Sequence, residues 1–274
     1  MALLLSAIKI ALAALLGFCL LLYFRQDAMI FLGAGLPAGM LEELRRAYPG
    51  SEITLTAPDG VRLHGWYRRA ESPSPAPLLI YFGGNAEDVS GMLLEEARFP
   101  GISLLLVNYR GYGLSAGKPT QRSLTRDALF LYDHFATRPE VDSERIMAMG
   151  RSLGTCVAVE LAAQRQVARL VLISPFESLR ALAKELYPWF PVGPFLRHPF
   201  DIIERAPAIK APLLAVIAGR DRIVPPAHSR RLVAAWGGKT EILELPGADH
   251  NEVGPQPEFW NTIAPFLAQG RKNP

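Results

Sequence analysis

Two cysteines in 274 residues are too few for a disulfide framework and exclude a Cys-based zinc site. Excess charge of one sign is equally scarce. The 29 Lys and Arg against 26 Asp and Glu leave +3, without a basic cluster or an RNP-like aromatic pattern, so nucleic acid is not an expected partner. Histidine is sparse, with five in the chain. Long hydrophobic runs are missing apart from one, which argues against a polytopic membrane protein. What the chain does have is apolar content at 50%, too high for disorder. Part of that surplus sits at the N-terminus, where 21 of residues 1–24 are apolar and Ser6, Lys9 and Gly17 are the exceptions. Without them the apolar share falls to about 46%, ordinary for a globular domain.

Residues 1–24 are long enough to cross a bilayer if Lys9 reaches the headgroups. The competing reading is a cleaved signal peptide, with Lys9 in the n-region and Ile10–Phe24 as the h-region. Tyr23-Phe24-Arg25-Gln26-Asp27 offers no small-x-small cleavage site, and Phe18 before Cys19 is wrong for lipoprotein processing. A single-pass anchor is therefore expected. Lys9 and Arg25 flank it almost symmetrically, which leaves the side of the membrane open.

Downstream, Glu52–Ala57 and Val61–Tyr67 alternate around Pro58-Asp59-Gly60 and predict a β-hairpin. Glu71–Pro77 reads as an exposed Pro/Ser-rich loop. Apolar runs at Leu78–Phe82, Ser103–Asn108, Arg145–Met149, Leu170–Ser174, Leu213–Ala218 and Glu241–Leu245 read as buried parallel strands. Helical patterns lie between them, at Leu124–Ala136, Ser152–Gln164, Pro226–Ala235 and Glu258–Ala268. The alternation predicts one α/β domain with a mostly parallel sheet, an antiparallel start and helices on both faces. In such sheets the functional loops follow the C-terminal strand ends.

One of those loops reads Gly150-Arg151-Ser152-Leu153-Gly154. A chain with 23 Gly and 13 Ser yields roughly 0.1 such G-x-S-x-G pentapeptides by chance, so the placement carries the weight. Here it joins a hydrophobic strand to an Ala-rich helix, where a sharp turn raises the Ser hydroxyl above the sheet. Otherwise Ser152 would be an ordinary helix cap.

A serine needs a base. His64, His134, His198 and His228 fall in the hairpin, on a helix, in a Pro/aromatic segment and at a helix start; His250 alone directly follows the last strand. Asp221, three residues past Leu213–Ala218, is its expected orienting carboxylate, giving the order Ser152, Asp221, His250. Rival acids are Glu177, Asp249 and Glu252. Donors for an oxyanion are expected from the N–H of Leu153 and from the Gly83-Gly84-Asn85 loop, with Asn85 first and Gly84 second. No phosphate-binding pattern follows that loop.

These residues, with Asn108-Tyr-Arg-Gly-Tyr-Gly-Leu-Ser-Ala-Gly-Lys-Pro-Thr120, Ser174–Leu179, Gly219-Arg-Asp221 and Asp249-His-Asn251, resemble the α/β-hydrolase superfamily. Within it the chain is most similar to the membrane-anchored Bem46-like serine hydrolases, the α/β-hydrolase domain 13 and 17 group, over roughly residues 20–269. The resemblance implies an α/β-hydrolase fold and a serine hydrolase without metal or cofactor. Some mammalian members remove acyl groups from proteins, so acyl-protein thioesters join small or lipid-like acyl esters as implied substrates. One departure is Gly83-Gly84 where the family usually has His-Gly before the oxyanion Asn.

The resulting organisation is an anchor at 1–24 and a hydrolase domain at 25–274 with a lid at about 175–210. Phe176, Trp189 and Phe190 in that lid either line an acyl pocket or pack the lid onto the domain. Arg151 either binds an anionic group or forms a salt bridge across the elbow. Asn108-Tyr109-Arg110 is expected to anchor the loop beside the site. The expected reaction is cleavage of an ester or thioester, with a serine peptidase or a catalytically idle membrane scaffold as alternatives.

Overall fold

The structure is a computed structural model that describes residues 1–71, 74–188 and 192–269, with the backbone alone at Ala2, Leu12, Ala38, Val192 and Pro194. Helix α1 spans Ala2–Ile30 without a break, about 44 Å at 1.5 Å per residue, against a bilayer core of ~30 Å. It therefore runs six residues past the expected anchor boundary at Phe24. Its apolar portion is exposed, whereas Gln26 is buried against the lid. Helix α2 (Ala38–Ala47), which the sequence pattern did not announce, packs Leu44 against the sheet.

Strands β1 (Glu52–Thr56), β2 (Arg62–Arg68), β3 (Ala76–Phe82), β4 (Ser103–Val107), β5 (Val141–Arg151), β6 (Leu170–Ile173), β7 (Leu213–Ala218) and β8 (Thr240–Leu245) form one sheet in the order β1-β2-β4-β3-β5-β6-β7-β8. The hairpin β1–β2 docks antiparallel onto β4, and the pairs from β4 to β8 are parallel. Every expected strand forms. The apolar runs are explained by two-sided burial. Leu78, Ile80 and Phe82 of β3 join one core cluster, while Leu79 and Tyr81 join another on the opposite face. Burying each such side chain contributes roughly 1.5–3 kcal/mol.

Helix α3 (Gln121–Ala136) starts with a capping box between Thr120 and Ser123 and buries Leu124, Ala128, Leu131 and Phe135 on the first face. Helix α4 (Leu153–Ala162) is buried all round from Leu153 to Leu161, as its mostly apolar sequence requires, with Thr155 and Glu160 as its buried polar members. The link from β3 to β4 is a 3-10 stretch, Val89–Arg98. Between β6 and β7, in the segment expected to form a lid, α5 (Leu179–Leu186) and α6 (Val192–Phe195) precede two short 3-10 turns. Helices α7 (Pro226–Ala234) and α8 (Pro257–Ala268) complete the fold.

The chain enters the centre of the sheet at β3, moves outward to β4, then returns to the other side of β3 at β5. That reversal opens a crevice at the C-terminal ends of β3 and β5, where Phe82 pairs with Gly150.

Candidate active site

The strand-to-helix turn after β5 holds Ser152 at φ +49°, ψ −116°, a conformation costing of order 1–3 kcal/mol. The flanking glycines make it sterically accessible. A Cβ on Gly150 would lie 2.4 Å from the Gly154 carbonyl oxygen, and one on Gly154 would lie 2.0 Å from that of Phe82. Hydrogen bonds hold the turn from both sides. The Ser152 N–H donates to the Ile173 carbonyl at 2.9 Å, and the Ser152 carbonyl accepts from the Thr155 amide at 2.9 Å and hydroxyl at 2.6 Å.

Asp221 and His250 are brought together by stitching the loops after β7 and β8. Gly219 N–H donates to the Leu245 carbonyl at 2.8 Å and Arg220 N–H to that of Ala248 at 2.9 Å. His250 Nδ1 lies 2.6 Å from Asp221 Oδ2, and both residues are buried. The other carboxylate oxygen accepts the Ile223 and Val224 amides at 2.9 and 2.7 Å. An acceptor-only carboxylate therefore fixes the proton on Nδ1 and leaves Nε2 as the acceptor. No hydrogen bond joins Ser152 Oγ to His250 among the described residues; such contacts tighten when substrate binds.

The rival acids have other partners. Glu177 holds His228 Nδ1 and Arg231 Nε, each at 2.7 Å. Asp249 accepts the His250 amide at 2.6 Å, and this bond foremost holds its carboxyl below the usual carboxylate range. Glu252 accepts the Asp249 amide. Of the other histidines, His64 sits on Glu52, His198 on Asp27 and His134 beside Arg138.

The loop after β3 corrects one expectation. Gly84 N–H donates to Glu87 Oε2 at 2.7 Å, so it is already committed and is not a free oxyanion donor. The amides of Asn85 and Leu153 have no partner among the described residues. The Asn85 side chain acts as a clamp. Its Oδ1 accepts from Leu32 N–H at 2.9 Å, Ala86 N–H at 3.0 Å and Tyr112 hydroxyl at 2.8 Å.

Glu87 is the residue that sequence reasoning missed. It accepts from Tyr81 at 2.6 Å, from Gly84 and from Arg151 at 3.0 Å, while Arg151 also donates to Asn251 Oδ1 at 2.7 Å. The salt-bridge reading of Arg151 is the one observed, and the bridge ties the β3 loop, the elbow and the His loop together. Only a carboxylate three residues past a glycine turn hints at this in the sequence. Tyr109 donates to the Gly83 carbonyl at 2.9 Å, which fastens this end of the loop. Burial pushes the Tyr81 and Tyr109 phenols well above their ordinary range, which keeps both as neutral donors. Arg110 makes paired bonds to Asp127 and to Asp59, a structural role as expected.

The substrate residues are corrected in part. Phe176 is 4% exposed and belongs to the core on one sheet face, consistent with packing the lid onto the domain. Trp189 and Phe190 lie outside the described residues.

Residues 114–260 match the model of the dienelactone hydrolase family. The chain is 36% identical over 238 residues to Rv2307c of Mycobacterium tuberculosis, covering 86% of this chain and 84% of that protein. The chain belongs to the dienelactone hydrolase family. This hydrolase is also 28% identical to the protein Bem46 of Schizosaccharomyces pombe, over 94% of this chain and 90% of that one. Its fold is that of the Pyrococcus furiosus esterase Pf2001, with a TM-score of 0.66 at 21% identity, covering 85% of this chain and 95% of that structure. The protein is thus a hydrolase of the α/β fold, with Bem46 among its relatives.

Proposed function

We propose that this hydrolase is a membrane-anchored serine esterase or thioesterase that works through an acyl-enzyme. The observation that supports the reading best is the buried 2.6 Å bond from His250 Nδ1 to Asp221, on the same sheet edge as the strained Ser152. In this reading Ser152 Oγ attacks the acyl carbonyl while His250 Nε2 takes its proton. Asp221 holds the tautomer and stabilises the imidazolium. The amides of Leu153 and Asn85 bind the oxyanion, and the N-terminus of α4 adds its dipole. Collapse of the intermediate breaks the C–O or C–S bond, and His250 returns the proton to the leaving group. Water, deprotonated by the same imidazole, then releases the acid and restores Ser152. Side chains and amides suffice for every step. Acyl groups on small molecules, lipids or proteins all meet the chemical requirement, and α1 would hold the domain at a membrane.

Fluorophosphonate labelling of the purified full-length protein tests the reading. Labelling of the wild type that disappears in Ser152→Ala is expected. A folded wild-type protein that neither labels nor hydrolyses acyl esters overturns it.

A further inference from the structure

We infer that the space between α1 and the lid helix α5 binds the fatty acyl chain of the substrate, so that the anchor helix forms one wall of the acyl site. The inference rests on the ester or thioester hydrolase reading above and names the part of the substrate that the lid receives.

The cavity measures about 310 Å³, at the lower end of the range of ~300–1,000 Å³ for ligand pockets. Phe18, Leu22 and Ile30 of α1 face Leu179, Leu182 and Leu186 of α5 across it. No charged side chain is among its lining residues, and its one amide side chain is fully occupied. Gln26 Nε2 donates to the carbonyls of Tyr23 and Phe195 at 2.9 and 3.2 Å, and Oε1 accepts the Arg197 amide at 2.7 Å. The amide group therefore braces the walls, and the space suits hydrocarbon.

Both walls are joined to the site by short stretches of chain. Helix α5 begins five residues after Ser174, which follows the strand whose Ile173 carbonyl receives the Ser152 amide. Five residues reach at most about 17 Å. On the other wall, the chain leaving Ile30 places the Leu32 amide on Asn85 Oδ1, in the loop proposed to supply an oxyanion donor. Beside this end, Asp27 bonds His198 at 3.0 Å and Arg197 at 3.1 Å, fixing α1 to the lid. In the opposite direction the lining reaches Phe18, about 18 Å along the helix from Ile30. Beyond it α1 presents exposed Leu15 and Leu16. An apolar slot tied by short stretches of chain to the site, with exposed apolar side chains of α1 beyond its far end, fits a long acyl chain supplied from the membrane.

The test is the ratio of kcat/KM for a palmitoyl ester to that for an acetyl ester of the same alcohol, in the full-length protein. Leu22→Trp on α1 and Ala183→Phe on α5 each fill the slot from one wall, and each is expected to lower the ratio by about tenfold or more. An unchanged ratio in both variants overturns the inference. A second measurement is independent of turnover. In Ser152→Ala protein, a palmitic acid bearing a diazirine near its methyl end should crosslink to residues 179–186, and Leu22→Trp should abolish that crosslink. Crosslinking elsewhere only, or crosslinking unaffected by the variant, also overturns it. Acetyl-ester hydrolysis with an unchanged ratio sinks the acyl slot alone, whereas absence of all Ser152-dependent hydrolysis sinks the hydrolase reading.

Discussion

The backbone N–H of Leu32 donates to the side-chain oxygen of Asn85 at 2.9 Å, so the segment leaving the N-terminal helix is bonded to the loop after β3. The same oxygen accepts the Tyr112 hydroxyl, whose pKa burial pushes up to about 12. Asn85→Ala keeps the backbone amide but removes this three-way clamp. The expected outcome is a fall in kcat of ~10–100-fold with a smaller change in KM, because a displaced donor loses its value mainly in the transition state. Steady-state kinetics on a short-chain ester checks this, and a change confined to KM contradicts it.

Asp221 is engaged on both oxygens, by His250 on one and by two amides on the other. Asn at this position can present an N–H to Nδ1 and favour the wrong tautomer. For Asp221→Asn we expect kcat to drop by ~10⁴ while the fold survives. Ester hydrolysis read alongside a thermal unfolding curve measures both quantities. Near-wild-type turnover would remove Asp221 from the proposed mechanism.

Gly154 cannot accommodate a methyl group, since its Cβ would meet backbone oxygen of Phe82 at 2.0 Å. Alanine is intrinsically the better helix residue by about 1 kcal/mol, so propensity alone predicts a gain. The clash with β3 reverses that sign. A net loss of about 1–3 kcal/mol in urea unfolding is expected for Gly154→Ala, with loss of ester hydrolysis as the elbow shifts.

Glu52 accepts two bonds from Arg45, at 2.9 and 2.7 Å, and contacts His64 at 2.8 Å. The Arg45 bonds foremost hold its carboxyl below the ordinary 4.5. Because the folded state binds this proton less readily than the unfolded chain, the contribution is present above about pH 4.5 and fades as pH falls through the folded value. With the side chain about 30% exposed, the contribution is screened to roughly 0.2–1 kcal/mol. Glu52→Gln should therefore lower stability near neutrality, and the gap from wild type should close on acidification. Denaturant titrations across that range measure it; a gap that widens at low pH refutes the assignment.

Much of this molecule was legible in one dimension. The strands announced themselves because each is buried on both faces or alternates across a hairpin, and local composition records burial. Ser152, Asp221 and His250 could be nominated as candidates because each follows a strand that ends at the same sheet edge, and the structure brings Asp221 and His250 into contact. The rest depended on contacts far apart in sequence. Glu87 acquires its meaning from Tyr81, Gly84 and Arg151, and no local pattern shows a carboxylate with three donors. Gly84 stood second to Asn85 as a donor until Glu87 took the Gly84 amide. Phe176 has the composition of a pocket wall yet is packed within the core.

The amino-acid order by itself determined the hydrophobic N-terminal segment, the α/β alternation and the glycines without which Ser152 could not hold its conformation, because these follow from burial periodicity and backbone sterics. Only the tertiary structure decided which of several carboxylates reaches His250, which loop amide stays free and where the N-terminal helix rests. Those outcomes depend on which loops are hydrogen-bonded together across the sheet edge, and a hydrogen bond between residues such as Leu32 and Asn85 exists only once the sheet has brought them to 2.9 Å.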